Sequence, residues 1–164
     1  MVTAGRGARR FARGFTTTEL MIVVAIVAVL TAIAVPNMRS LIQTQRIRTA
    51  SFDVNAGLTL ARSEAIKRNS SVTLTPGLGG WVDGWTVTDS SGNVVAKQDK
   101  FDQVAFSVAP ATLSFNGMGR LVGPATQFEL STNELDTSKW RCVRVDISGR
   151  PVSLVGACAC APNC

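Results

Sequence analysis

Hydrophobic and polar positions follow three different patterns along the chain. From 20 to 35 the sequence is apolar except for Thr31. Counted back to Phe15, this run has about the ~20 residues a helix needs to cross a ~30 Å hydrocarbon core. From 37 to 68 the pattern changes. Ile47, Ala50, Val54, Leu58, Ala61 and Ala65 recur at spacings of 3, 4, 4, 3 and 4, which draws one apolar stripe on a helix. A stripe this short fits a helix lying on a sheet better than a coiled coil. Asn69-Ser70-Ser71 should end that helix. Beyond it the period falls to two. Short strands are expected at 72–75, 85–88, 94–97, 104–108, 113–115, 128–131, 140–147 and 151–155, with turns at 89–93 and 116–119. The pattern predicts an α+β chain: one long N-terminal helix, then a head of about seven short antiparallel strands.

Charge changes the reading of the N-terminus. The net charge of +6 is uneven: Arg6, Arg9, Arg10 and Arg13 precede residue 14 with no acidic residue among them, and 13 basic residues face 11 acidic ones in the remainder. The high pI therefore reports a basic N-terminal tag rather than a nucleic-acid surface. Basic residues directly before an apolar run orient that end to the cytoplasm. Ala32-Ile33-Ala34 imitates the cleavage site of a secretory signal. Against that reading, the run is long, and Glu19 with three threonines lies inside its start. A charged side chain at a bilayer centre costs about 2.5–3.5 kcal/mol on insertion scales, so Glu19 calls for a partner. Pro36 should kink or interrupt the helix, because it lacks an amide hydrogen.

Other features narrow the chemistry. Histidine is absent, which removes the commonest general base and zinc ligand and any Ser-His or Cys-His pair. Gly77-Leu78-Gly79-Gly80 lacks the Lys-Ser/Thr of a phosphate loop. Asp99 and Asp102 lack calcium-loop spacing. No catalytic residue, cofactor or metal is expected. Cys142, Cys158, Cys160 and Cys164 all fall in the last 23 residues. Behind an export-type N-terminus they read as disulfides. A four-thiolate zinc site fits worse, since C-x-C-x3-C is not the usual C-x2-C knuckle. Three connectivities are open. If Gly149-Arg150-Pro151 is a three-residue hairpin loop, Cys142 lies opposite Cys158, which leaves Cys160 to pair with Cys164.

Gly14-Phe15-Thr16-Thr17-Thr18-Glu19, the apolar run and Pro36 together resemble the class III leader of type IV pilins and type II secretion pseudopilins. The resemblance implies a type IV pilin fold, cleavage after Gly14 by a prepilin peptidase, and N-methylation of Phe15. It also implies that Glu19 pairs with the N-terminal amine of a neighbouring subunit. Two opposite charges attract strongly in a low-dielectric core, and either one left alone is expensive, so such a pair would set register between subunits. The implied organisation is a leader at 1–14, a transmembrane or filament-core helix at 15–36, an amphipathic helix at 37–69 and a β head at 70–164. The chain would sit in the inner membrane with its head in the periplasm and then enter an extracellular pilus beside major and minor pilins.

ARSEAIKRN at 61–69, the early tryptophan loop and WRCVRVDISGR at 140–150 resemble the GspH/FimT group. That group includes the minor pilins FimT and FimU and the minor pseudopilin of type II secretion. The implied role is a FimU- or FimT-like minor pilin in a tip or priming complex that promotes assembly. The alternatives are a DNA-binding minor pilin for transformation and minor pseudopilin H. FimT-type proteins carry a G-R-x-R motif in this hairpin, implicated in binding extracellular DNA; here Gly149-Arg150-Pro151-Val152 keeps only the first arginine. Arg141, Arg144 and Arg150 are the candidate DNA contacts, although residues 141 and 144 should face opposite sides of a regular strand.

Overall fold

The computed structural model describes residues 15–132 and 139–158, without the side chains of Pro36 and Asn37. The leader, the Pro36 side chain, Cys160 and Cys164 lie outside the described residues. One helix, α1 (Thr17–Arg68), is followed by eight strands: β1 (Val72–Gly77), β2 (Gly80–Asp89), β3 (Val94–Gln98), β4 (Ala105–Val108), β5 (Leu113–Phe115), β6 (Thr126–Ser131), β7 (Arg141–Val145) and β8 (Pro151–Val155). The chain divides between Arg39 and Ser40 into two compact units.

The C-terminal unit is built on the helical stripe. Ile47, Ala50, Val54, Leu58, Ala61 and Ala65 are each at most 2% exposed. The recurring small residues keep the helix close to the strands. Gly57 takes this furthest: a Cβ there would sit 2.8 Å from Trp85 Nε1, so only a bare backbone admits the indole. The helix ends as its sequence dictates. Asn69 takes a left-handed φ of 47°, its amide donates to Ile66 O, and the Ser70 amide donates to Ala65 O. This is a Schellman closure, which satisfies carbonyls the helix would otherwise leave open. Arg68 then joins Glu64 and Asp89, each at 2.8 Å, and so ties the helix end to the end of β2.

The strands form two antiparallel four-stranded sheets, ordered β3-β2-β1-β5 and β4-β6-β7-β8. In the first, Leu74 faces Val87 and Leu113, and Val72 faces Phe115. Alternation therefore puts Val72, Leu74, Val87, Leu113 and Phe115 on one buried face. In the second, Phe128 faces Val143 and Leu130 faces Arg141, and Phe128, Leu130, Val143 and Val145 join the same core. Trp81 bridges the sheets, with its ring 5.9 Å from Trp85 and 4.7 Å, edge-on, from Phe128. Its indole N–H donates to Pro110 O at 2.6 Å, which satisfies the one polar group the ring buries.

The β7–β8 hairpin corrects the expected register. Val145 faces Pro151 and Cys142 faces Leu154, so the loop is longer than Gly149-Arg150-Pro151. Asp146 builds it: its carboxylate accepts from Ser148 Oγ at 2.6 Å and from the Arg150 amide at 3.1 Å. The strand expected at 140–147 therefore ends at Val145.

Candidate functional site

Two regions of the chain have features that the fold alone does not require. The first is the start of α1. The Thr16 amide donates to Glu19 Oε2 at 3.0 Å, and the Glu19 amide donates to Thr16 Oγ1 at 3.2 Å. This is a reciprocal capping box, which satisfies donors at the helix start. The T-x-x-E spacing is its signature, and the sequence reading passed over it. Within a single subunit Glu19 thus already has a partner: the end of its own helix. From Leu20 to Val35 every side chain is exposed, although Thr31 is the one polar residue in the run. The helix is long and apolar enough to cross a membrane. Thr31, the polar exception, turns its hydroxyl back to Val27 O and Ala28 O at 2.9 Å, which satisfies its donor within the helix.

The second region is the sheet carrying β7 and β8. By register, Val143, Val145, Arg141, Ser153 and Val155 face the helix, while Cys142, Arg144, Val152 and Leu154 face outward. Arg141 and Arg144 are therefore separated by the sheet. Arg144 and Arg150 come together, lining a cavity of about 270 Å³ with Val152 and Leu154. Asp146 also lines it. Hydrogen bonds from Ser148 and the Arg150 amide hold the Asp146 carboxyl below its ordinary pKa. Arg141 lies on the other side with Arg48, Ser51 and Phe52 of α1. Burial and then the Arg48 charge push its guanidinium below its ordinary value.

Cys142 and Cys158 form a disulfide, with Cα atoms 5.0 Å apart. They are not opposite one another on the strands. After Gly156, whose amide donates to Trp140 O, the chain turns over the outer face and reaches Cys142. Glu129 receives it there: its carboxylate accepts from the Cys158 amide at 2.7 Å and from Ser107 Oγ at 2.8 Å. A glutamate only 8% exposed is thereby supplied with donors on both oxygens, as a buried charge requires. Nothing in the spacing of Glu129 marked it as the anchor of the tail.

One long apolar-headed helix laid on antiparallel sheets, with the disulfide closing the last strands, defines a pilin-like subunit. The GspH family, described as type II transport protein GspH, matches residues 50–149, and the chain belongs to it. Two crystal forms of the Pseudomonas aeruginosa PAO1 type IV minor pilin FimU are similar in structure. One, in space group P65, has TM-score 0.55 and 25% identity over 65% of this chain and 91% of FimU. The other, in P21, has TM-score 0.57 and 24% identity over 72% of this chain and 93% of FimU. The comparison with curated proteins found no match.

Proposed function

We propose that this chain is a minor pilin of a type IV pilus, incorporated into a tip or priming complex where it promotes assembly. The observation that carries the proposal is the contrast along α1. The stripe from Ile47 to Ala65 is buried, whereas the run from Leu20 to Val35 exposes every side chain. Bare apolar surface on that scale needs lipid or other apolar helices to cover it. Membrane residence followed by packing among pilin helices supplies both in turn. On this reading a prepilin peptidase cuts after Gly14, Phe15 is methylated, and the inner membrane holds the helix with the head in the periplasm. Pro36 supplies the bend in the stalk. Glu19 exchanges its cap on Thr16 for the Phe15 amine of a neighbouring subunit. The role is structural, not enzymatic.

The similarity to FimU supports a pilus over a secretion system, whose pseudopilin shares the family. Deleting the gene should reduce surface pili and leave type II secretion intact. Loss of secretion with normal piliation would reassign the chain to the secretion system.

A second reading, DNA uptake, is favoured by one observation: Arg144 and Arg150 share a cavity. Asp146 offsets one of the two charges, and Val152 stands where FimT-type hairpins have a second arginine. Two phosphate contacts would give weak, strongly salt-dependent binding.

A further inference from the structure

Among the described residues, strand β8 ends its sheet with one neighbour, β7. Its five residues, Pro151-Val152-Ser153-Leu154-Val155, carry no charge, and Val152, Leu154 and Val155 are exposed. Edge strands are normally blunted by charge, bulges or cover. Here, among the described residues, only Pro151 does so, at the first position.

The hydrogen-bond phase shows what the edge offers. Asp146 N donates to Arg150 O and Gly156 N donates to Trp140 O. Between those two pairs the register runs without a bulge. Bonded pairs alternate along an antiparallel ladder, so Val152 and Leu154 turn their backbone groups to β7. Ser153 and Val155 turn theirs to the open edge. Among the described residues, the edge therefore presents two N–H groups without a backbone partner and, with Pro151, three carbonyls.

Beside this edge lies a cleft of about 250 Å³ lined by Arg48, Phe52, Arg141, Ser153, Leu154 and Val155. Phe52 is 76% exposed. Among the described residues no carboxylate pairs with Arg48 or Arg141. Arg141 donates to Lys139 O and Trp140 O, both backbone carbonyls that leave its charge uncompensated among the described residues. The cleft combines apolar walls with two adjacent positive charges.

We propose that β8 and this cleft form a docking edge for an extended segment of another protein. The segment would add as a strand to β8 and place acidic side chains against Arg48 and Arg141. Backbone bonds to Ser153 and Val155 supply affinity, and the cleft selects side chains, as in other strand-addition complexes. Charge decides against a second copy of this chain: pairing β8 with β8 would bring two Arg48–Arg141 sets to one edge. The inference does not depend on the pilus assignment.

The test uses the full-length chain in detergent micelles. The probe is a short capped peptide alternating valine and glutamate, compared with one alternating valine and lysine. Bound glutamate peptide should slow hydrogen exchange at the Ser153 and Val155 amides and leave Val152 and Leu154 unchanged. Arg48→Gln with Arg141→Gln should weaken it about tenfold or more. Ser153→Pro and Val155→Pro should abolish binding while the Cys142–Cys158 bond still forms, because proline is tolerated where an edge N–H faces solvent. The exchange pattern of the unmodified chain keeps the test valid if a proline variant misfolds. No binding, equal binding of the lysine peptide, or unaltered exchange at Ser153 and Val155 would overturn the proposal. Protection that grows with protein concentration without peptide would overturn it in favour of self-pairing.

Discussion

Gly149 has a φ of 77° at the tip of the β7–β8 hairpin, and a Cβ there would run into Gly119 O and press on Phe115 Cδ1. The bare backbone is what lets the tip of one sheet seat against the loop that follows the other. Gly149→Ala should lower stability by at least the ~1–3 kcal/mol of a residue held in that region, measured by denaturant midpoint. The neighbouring Asp146 titrates in the opposite sense to a buried acid. Its folded pKa is depressed by Ser148 and the Arg150 amide, so its contribution is complete above the unfolded value of about 3.9. That contribution is lost as pH falls through the lower folded value. Asp146→Asn should flatten the stability profile in that acidic window and cost little slope elsewhere. Both residues could be seen in the sequence only as a turn. Asp-x-Ser-Gly also carries the instruction for a longer loop, because the aspartate carboxylate can serve the two donors after it. Missing that instruction shifted the expected register, even though Cys142 and Cys158 do meet.

At the scale of elements, the helix was the most legible part. A 3.6-residue stripe has six independent positions to agree, and all six are buried. Leu58→Ala, at the centre of the stripe, should cost about 2–5 kcal/mol by leaving a cavity. Leu60→Ala, on an exposed position one turn-fraction away, should cost far less, and equal losses would contradict the packing. The strands were legible as segments but not as two sheets, since pairing order is decided by contacts far apart in sequence. The tail was least legible. Its route depends on Glu129, which lies 29 residues before Cys158 and has no local pattern. The disulfide closes a separation of 16 residues, for which chain-entropy arguments give about 3 kcal/mol. Reduction should lower the unfolding midpoint of the head accordingly. Glu129→Gln in the oxidised protein should lower it further, because a charge-assisted acceptor for Ser107 and Cys158 is weakened.

For the whole molecule, the governing feature is a mismatch between the two parts of α1. One part is buried against the head, and the other is exposed and has no packing partner among the described residues. On the proposed reading, membrane insertion and then filament packing would cover that apolar surface. Gly14→Val should leave the leader attached and block entry to the filament. On the proposed reading, Glu19→Ala should permit processing but impair assembly: the exposed cap on Thr16 can be replaced by water, whereas a subunit amine left unpaired in an apolar core would be costly. Composition made the apolar run obvious. Its fate was not, since Ala32-Ile33-Ala34 offers a rival cleavage site within the same segment. Mass spectrometry of the chain recovered from sheared surface pili tests the account most directly. The predicted result is a subunit present at low abundance, whose first residue is N-methylated Phe15. Absence from pili, or a mature chain beginning at Val35, would contradict it.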